Sequence, residues 1–285
     1  MTVRIRALAA AGTAVAVLGG LGVVLGLREL AGGLDLPRIA RECTVEADGR
    51  VTLDAHQMAN AATIAAVGMR RKMPERAVVV ALATAFQESK LTNLTGGDRD
   101  SIGLFQQRPS QGWGRPEQIR DPRYAAGKFY SGLRRVKGWE RMRVTDAAQR
   151  VQRSAYPQAY EKWADESAVL ARALLGDATG AVACTVPGDP RLRGAAAAAA
   201  LAEGLRLDWG SLRTDPAEVA GLAVAVRDAR SGWRYAHWLV SHAADHGVER
   251  VRFGDLEWTA GAGDWRRAAA PGGGARVVAE VFADA

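Results

Sequence analysis

Apolar residues recur along this chain in three patterns, each predicting a different kind of element. Residues 7–27 carry no charged side chain; Arg4 and Arg6 precede them and Arg28-Glu29 follows. A run of that length crosses a bilayer core of about 30 Å. No convincing small-residue cleavage site follows it, so residues 1–30 are expected to form a cytoplasmic stub and an uncleaved signal anchor. The arginines ahead of the span put the N-terminus in the cytoplasm and the rest of the chain outside. Residues 31–42, with Gly32-Gly33 and Pro37, read as a tether. Over residues 53–71 the period becomes helical: Met58, Ala62, Ile64, Ala65 and Val67 recur at three- and four-residue steps, behind Asp54 as N-cap. Pro74 opens a second helix over residues 75–88, with Val78, Val79, Leu82 and Phe86 on its apolar stripe and Glu88 on the flank. Residues 93–101 are rich in Gly, Asp and Asn and read as a loop. Asp121-Pro122 starts another helix, with Tyr124, Ala125, Phe129 and Leu133 on one face; residues 145–151 and 158–175 are helical too. This predicts an all-α segment over residues 43–187.

The third pattern begins after Pro187-Gly188-Asp189-Pro190, which marks a boundary. Residues 195–200 are all alanine and read as a helix start or a linker. Short apolar runs at 205–207, 219–226, 251–253, 256–258 and 277–282 predict strands, and residues 233–247 predict a helix ending at a glycine cap. The expected fold class is α+β: a mainly-α domain over 43–187, then a small α+β domain over 188–285. No convincing internal repeat is present.

Composition narrows the setting. Of 285 residues 48% are hydrophobic and 24% charged, enough for about two folded domains. The net charge of +7 implies a negatively charged partner. For an exported protein, anionic cell-wall polymers or lipid headgroups fit better than nucleic acid, and no basic stripe with interleaved aromatics argues for the latter. Cys43 and Cys184 bracket the helical segment. Outside the cytosol such a pair becomes a disulfide, the alternative being two unrelated buried thiols.

Candidate chemistry centres on Gln87-Glu88-Ser89, followed by Ser101-Ile102-Gly103-Leu104-Phe105-Gln106. A carboxylic acid at the end of an apolar helix suits general-acid work if its surroundings keep it protonated near neutral pH. With Asp121-Pro122, Phe129-Tyr130, Leu133 and Ala155-Tyr156, this ordered set resembles the lytic transglycosylase and goose-type lysozyme superfamily over residues 54–175. The resemblance implies a lysozyme-like fold and cleavage of the MurNAc–GlcNAc backbone of peptidoglycan. It makes Glu88 the catalytic glutamate and Ser89 its support, Gly103, Leu104, Phe105 and Gln106 the lining of the sugar sites, and Tyr156 the tyrosine near the acid. Pro157 departs from the family, which has asparagine there, and Phe105 replaces methionine. A lytic enzyme needs one carboxylate; a hydrolase usually needs a second, for which Asp98 and Asp100 are candidates, although both also suit plain turn chemistry. Trp113 is a candidate sugar platform or a packing anchor for its loop.

His237, His242 and His246 fall in one helical stretch. No H-E-x-x-H accompanies them, so a solvated polar face is expected rather than a metal site; no metal and no cofactor are implied. The stretch from His237-Trp238 through Leu256-Glu257-Trp258 is distantly similar to zinc D-alanyl-D-alanine peptidases, but Thr259 stands where active members have histidine, which suggests a wall-facing module without catalysis. The leading expectation is a membrane-anchored, outward-facing muralytic enzyme. The alternative is a catalytically inactive wall-binding or scaffold protein, favoured by Pro157. A metal-handling accessory protein, resting on the histidines alone, is a third.

Overall fold

The computed structural model describes residues 42–186, 189–216, 221–272 and 274–284. The expected anchor, nearly all of the tether and the boundary residues Pro187 and Gly188 lie outside the described residues. Among the described residues no helix is long and apolar enough to cross a membrane.

Two helices form the centre of the helical part, and their ends follow from local chemistry. Helix α1 (Ala55–Arg70) starts at a capping box: Gln57 N–H donates to Asp54 Oδ1 at 2.9 Å, and Asp54 N–H to Gln57 Oε1 at 2.9 Å. It is buried nearly all round, from Met58 through Ile64 to Gly68, because helices press on it from several sides. Gly68 is needed there, since a Cβ would lie 2.7 Å from Tyr130 Oη, and that hydroxyl donates to Ile64 O at 2.9 Å. Helix α2 (Glu75–Ser89) follows Pro74 and ends at Lys90 in the left-handed conformation, φ 56°. Around this pair run α3 (Pro116–Ile119), α4 (Pro122–Arg134), capped by Asp121, α5 (Val144–Gln152) and α6 (Ala164–Leu174). The helix expected over 158–175 begins only at Ala164, after a 3-10 turn at Glu161–Trp163.

The segment 43–187 is not all-α. Strands β1 (Glu42–Glu46), β2 (Arg50–Asp54) and β3 (Val182–Cys184) form an antiparallel sheet of order β2-β1-β3. Cys43 lies opposite Cys184 across the ladder, and the two form a disulfide spanning 141 positions of sequence. Closing so long a loop stabilises by about 3–5 kcal/mol in the chain-entropy account.

The C-terminal part has α7 (Gly194–Trp209), β4 (Thr214–Pro216), β5 (Gly221–Ala225), α8 (Ala229–Ser241), α9 (Ala243–His246), β6 (Val248–Thr259), β7 (Trp265–Gly272) and β8 (Arg276–Val281). Its sheet is antiparallel, of order β4-β5-β8-β6-β7. The run 205–207 is helix, not strand: Leu201, Leu205 and Asp208 are buried at four- and three-residue steps on α7. Both apolar runs at 251–253 and 256–258 belong to the single strand β6, with an irregularity between Gly254 and Leu256. The helix expected from 233 starts earlier, at Ala229, because Asp228 caps it.

The described residues fall in one compact unit. His237 Nε2 accepts Ala181 N–H at 2.9 Å while Nδ1 meets Ala173 O at 2.8 Å, Trp258 Nε1 donates to Cys184 O at 3.1 Å, and Trp265 Nε1 donates to Val182 O at 2.7 Å. The three histidines therefore do not make a solvated face: His237 and His242 are buried and His246 is half-buried.

Candidate functional site

The end of α2 delivers Glu88 to a half-buried position. The preceding turns are buried from Ala77 to Phe86, which fixes the backbone, and side chains on both flanks fix the direction. Phe86 stacks on Trp163 with centroids 5.1 Å apart, Trp163 Nε1 donates to Gln87 Oε1 at 3.1 Å, and Lys90 Nζ sits 3.7 Å from the centroid of the same indole. Ser89, buried behind Glu88, donates to Leu104 O at 2.8 Å and reaches Ala85 O at 3.1 Å. It ties the helix end to the loop carrying residues 103–106.

That loop is shaped by its backbone. Gly103 has φ 77°, and a Cβ there would lie 2.8 Å from Ile119 O, so no other residue fits without displacement. Gln106 also has positive φ, 44°. Leu104 and Phe105 point inward: both are fully buried, and Phe105 stacks on Phe129 with centroids 4.9 Å apart. Their carbonyls, not their side chains, serve the site. The Gln106 amide is turned back on its own loop, accepting from Ser101 Oγ at 3.0 Å and donating to Gly103 O at 3.1 Å.

Two residues that sequence reasoning missed complete the site. Tyr160 Oη donates to Glu88 Oε1 at 2.7 Å, and Gln152 Nε2 donates to the same oxygen at 3.1 Å and to Phe105 O at 2.8 Å. The Gln152 amide orientation is unambiguous, because both neighbours of its nitrogen are acceptors. Burial and the adjacent Glu88 carboxylate push the Tyr160 phenol well above its ordinary pKa, so it remains a donor throughout the working pH range. Among the described residues nothing donates to Glu88 Oε2. One oxygen is held and the other is open. Tyr156, the tyrosine carried over by resemblance, is 73% exposed and does not touch Glu88. The contacting tyrosine, Tyr160, lies four residues further along the chain, at the end of a turn.

The candidate second carboxylates are elsewhere engaged. Asp100 Oδ1 accepts Arg108 Nε at 2.7 Å and Oδ2 accepts Ser110 N–H at 2.8 Å, which holds its carboxyl well below the usual range. Asp98 is exposed, 3.9 Å from Arg99 Nε. Pro157 lies on the surface, its carbonyl accepting from Thr145 Oγ1. Trp113 is half-buried and lines a groove of about 800 Å³ that also reaches Gln152. Among the described residues no group of three or more His, Cys, Asp or Glu side chains is placed to hold a metal ion. No family model matches the chain, and no curated protein is significantly similar to it.

Proposed function

We propose that the protein cleaves the MurNAc–GlcNAc backbone of peptidoglycan, with Glu88 as the single general acid and base on a lysozyme-like helical scaffold. The observation that carries this reading is the asymmetry of the Glu88 carboxyl: Oε1 accepts from Tyr160 and Gln152, whereas among the described residues nothing donates to Oε2. With Oε1 taken up by two donors, a proton carried by Glu88 sits on Oε2 and faces the open side. There it is delivered to the leaving glycosidic oxygen as the C–O bond breaks. The resulting carboxylate then takes a proton from the muramic acid's own hydroxyl, which closes an anhydro ring. This lytic route needs one carboxylate. A hydrolytic route usually needs a second near the first, and the engagement of Asp100 by Arg108 and Ser110 favours the lytic one.

The disulfide Cys43–Cys184 suits an oxidising compartment, in keeping with an exported, membrane-anchored protein acting on the wall. In the C-terminal part both ring nitrogens of His237 are engaged by backbone groups, which supports a structural, wall-facing role for that part. The test is the release of muropeptides from purified sacculi. Glu88→Gln is expected to keep the fold and abolish release, and mass spectrometry of the wild-type products to show anhydro ends. An equally active variant removes the assignment. A wild-type protein that binds sacculi without releasing anything is the inactive wall-binding protein that Pro157 favours.

A further inference from the structure

The two donors on Glu88 Oε1 sit at the two ends of one connection. Gln152 is the last residue of α5, and Tyr160 follows it after residues 153–159. The connection has little packing of its own: Arg153 and residues 155–158 are exposed, and Ser154 and Ala159 are half-buried. Side chains from α5 and its N-cap hold it in place. Gln149 grips both backbone groups of Ser154, donating to Ser154 O at 2.8 Å and accepting Ser154 N–H at 3.2 Å. Thr145 Oγ1 donates to Pro157 O at 2.5 Å, and Arg143 Nη2 donates to Gln158 Oε1 at 3.1 Å. The chain therefore runs back along the helix it has just left. At the far end Glu161, the residue after Tyr160, is fastened to the start of the same helix: its Oε2 accepts Thr145 N–H at 2.9 Å.

That last bond answers a need of α5. The first amides of a helix have no intrahelical acceptor, and Arg143, at the N-cap of α5, gives them no side-chain bond. Thr145 is fully buried, so water does not replace the missing acceptor. Glu161 does the work of a cap from sixteen residues away, and its negative charge suits the positive end of the helix. Arg143 also faces Glu161, but it is already paired with Asp146 at 3.0 Å. One end of α5 thus carries Gln152, and the other end fixes the neighbour of Tyr160.

We propose that Glu161 is a positioning residue for the cleavage reaction: through Thr145 N–H it latches the connection onto α5 and so keeps the Tyr160 hydroxyl on Glu88 Oε1. This rests on the reading of Glu88 as the general acid and base. Glu161 is bonded to Thr145 and not to Glu88, so it takes no proton in the reaction and acts through Tyr160. The latch matters because a displacement of about 0.5 Å is enough to loosen a catalytic constellation.

The experiment is a double-mutant cycle on the full chain. Muropeptide release from sacculi is measured for Glu161→Ala, Tyr160→Phe and the double variant. Glu161→Ala is expected to lower kcat about tenfold with KM little changed, and to lower it less than about twofold once Tyr160 is replaced by phenylalanine. Glu161→Gln keeps an oxygen able to accept Thr145 N–H and should restore most of the rate. Glu161 is exposed, so these variants are expected to fold, which melting temperature checks. A loss from Glu161→Ala that is the same with and without the Tyr160 hydroxyl marks a merely structural cap and overturns the inference, as does a glutamine variant as poor as the alanine one. Denaturant unfolding gives a second measurement that needs no activity. The coupling between Tyr160→Phe and Glu88→Ala is expected to be about tenfold in the unfolding equilibrium of the otherwise unchanged protein. It should fall below about twofold when Glu161 is replaced by alanine. Coupling that persists there, or is absent from the start, overturns the latch. Coupling that follows Glu161 in a protein releasing no muropeptides keeps the latch and removes the catalytic reading. Release that depends on Glu88 but not on Glu161 removes the latch alone.

Discussion

Proton transfer from one carboxyl oxygen requires the other to stay fixed, so the donors on Glu88 Oε1 are where single substitutions are most informative. Tyr160→Phe removes a hydrogen bond to an ionisable group, on the order of 1.5–3 kcal/mol, while leaving the buried ring in place. Muropeptide release is expected to fall about tenfold to a hundredfold, with KM and melting temperature little changed; full activity would exclude Tyr160 from the site. Tyr156→Ala, at a residue 73% exposed, is the matched control and should leave release within about twofold. The pair also shows what was legible at this scale. Glu88 could be read from the chain because helix, glutamate, serine and glycine loop are close in sequence. Tyr160 and Gln152 could not, because their contacts with Glu88 span 72 and 64 positions, and nothing local distinguishes Tyr160 from Tyr156. Leu104 and Phe105 contribute through backbone carbonyls, which side-chain identity does not announce.

Elements whose ends carry explicit caps were legible, and Asp54, Pro74 and Asp121 mark the starts of α1, α2 and α4. Strands β1 and β2 alternate buried and exposed positions, Cys43 and Val45 inward, Val51 and Leu53 inward. They were missed because each is short and the segment reads as a lead-in to the helix. What joins the helical part to the C-terminal part lay beyond local pattern altogether. Asp208 of α7, fully buried, accepts Thr63 Oγ1 of α1 at 3.0 Å and Trp238 Nε1 of α8 at 2.7 Å, and faces Arg123 Nε of α4 at 2.5 Å. Four helices thus meet at one carboxylate. Asp208→Ala strands a largely buried guanidinium and two donors, and is expected to destabilise by about 3–5 kcal/mol. Denaturant unfolding followed by far-ultraviolet circular dichroism measures it; a loss under about 1 kcal/mol, the ordinary scale of single substitutions, would show that the junction rests on apolar packing instead.

Across the whole molecule, the buried histidines dictate how the fold responds to acid. Burial holds His237 at a pKa of about 4, partly offset by its bond to Ala173 O. His246 is held at about 4 by burial and then by His242, with Arg123 acting in the same direction and Asp245 and Asp208 in the opposite one. In the unfolded chain both titrate near 6.5. Between about pH 6.5 and pH 4 the unfolded state therefore binds protons that the folded state refuses. Stability is complete above 6.5 and falls as the pH drops through this window, by up to about 1.4 kcal/mol per pH unit for each histidine. Asp100, Asp146, Glu203 and Asp228 have carboxyls held below their ordinary values, chiefly by hydrogen bonds from Arg108, Arg143, Arg206 and Ser231 respectively. Their contributions are present above the ordinary carboxylate range and vanish only as the pH falls through their depressed values. The two groups act in largely separate windows, so unfolding free energies measured at half-unit intervals from pH 7.5 to pH 3 should show a first decline already under way at pH 6. His237→Gln should flatten that decline even if it lowers overall stability, because it removes one titration while leaving an amide able to accept Ala181 N–H. A stability constant from pH 7 to pH 4.5, followed by a single acid transition below, would mean that protons reach these rings in the folded protein as easily as in the unfolded chain. The interlocked core of the two parts would then be more open to water than its packing implies.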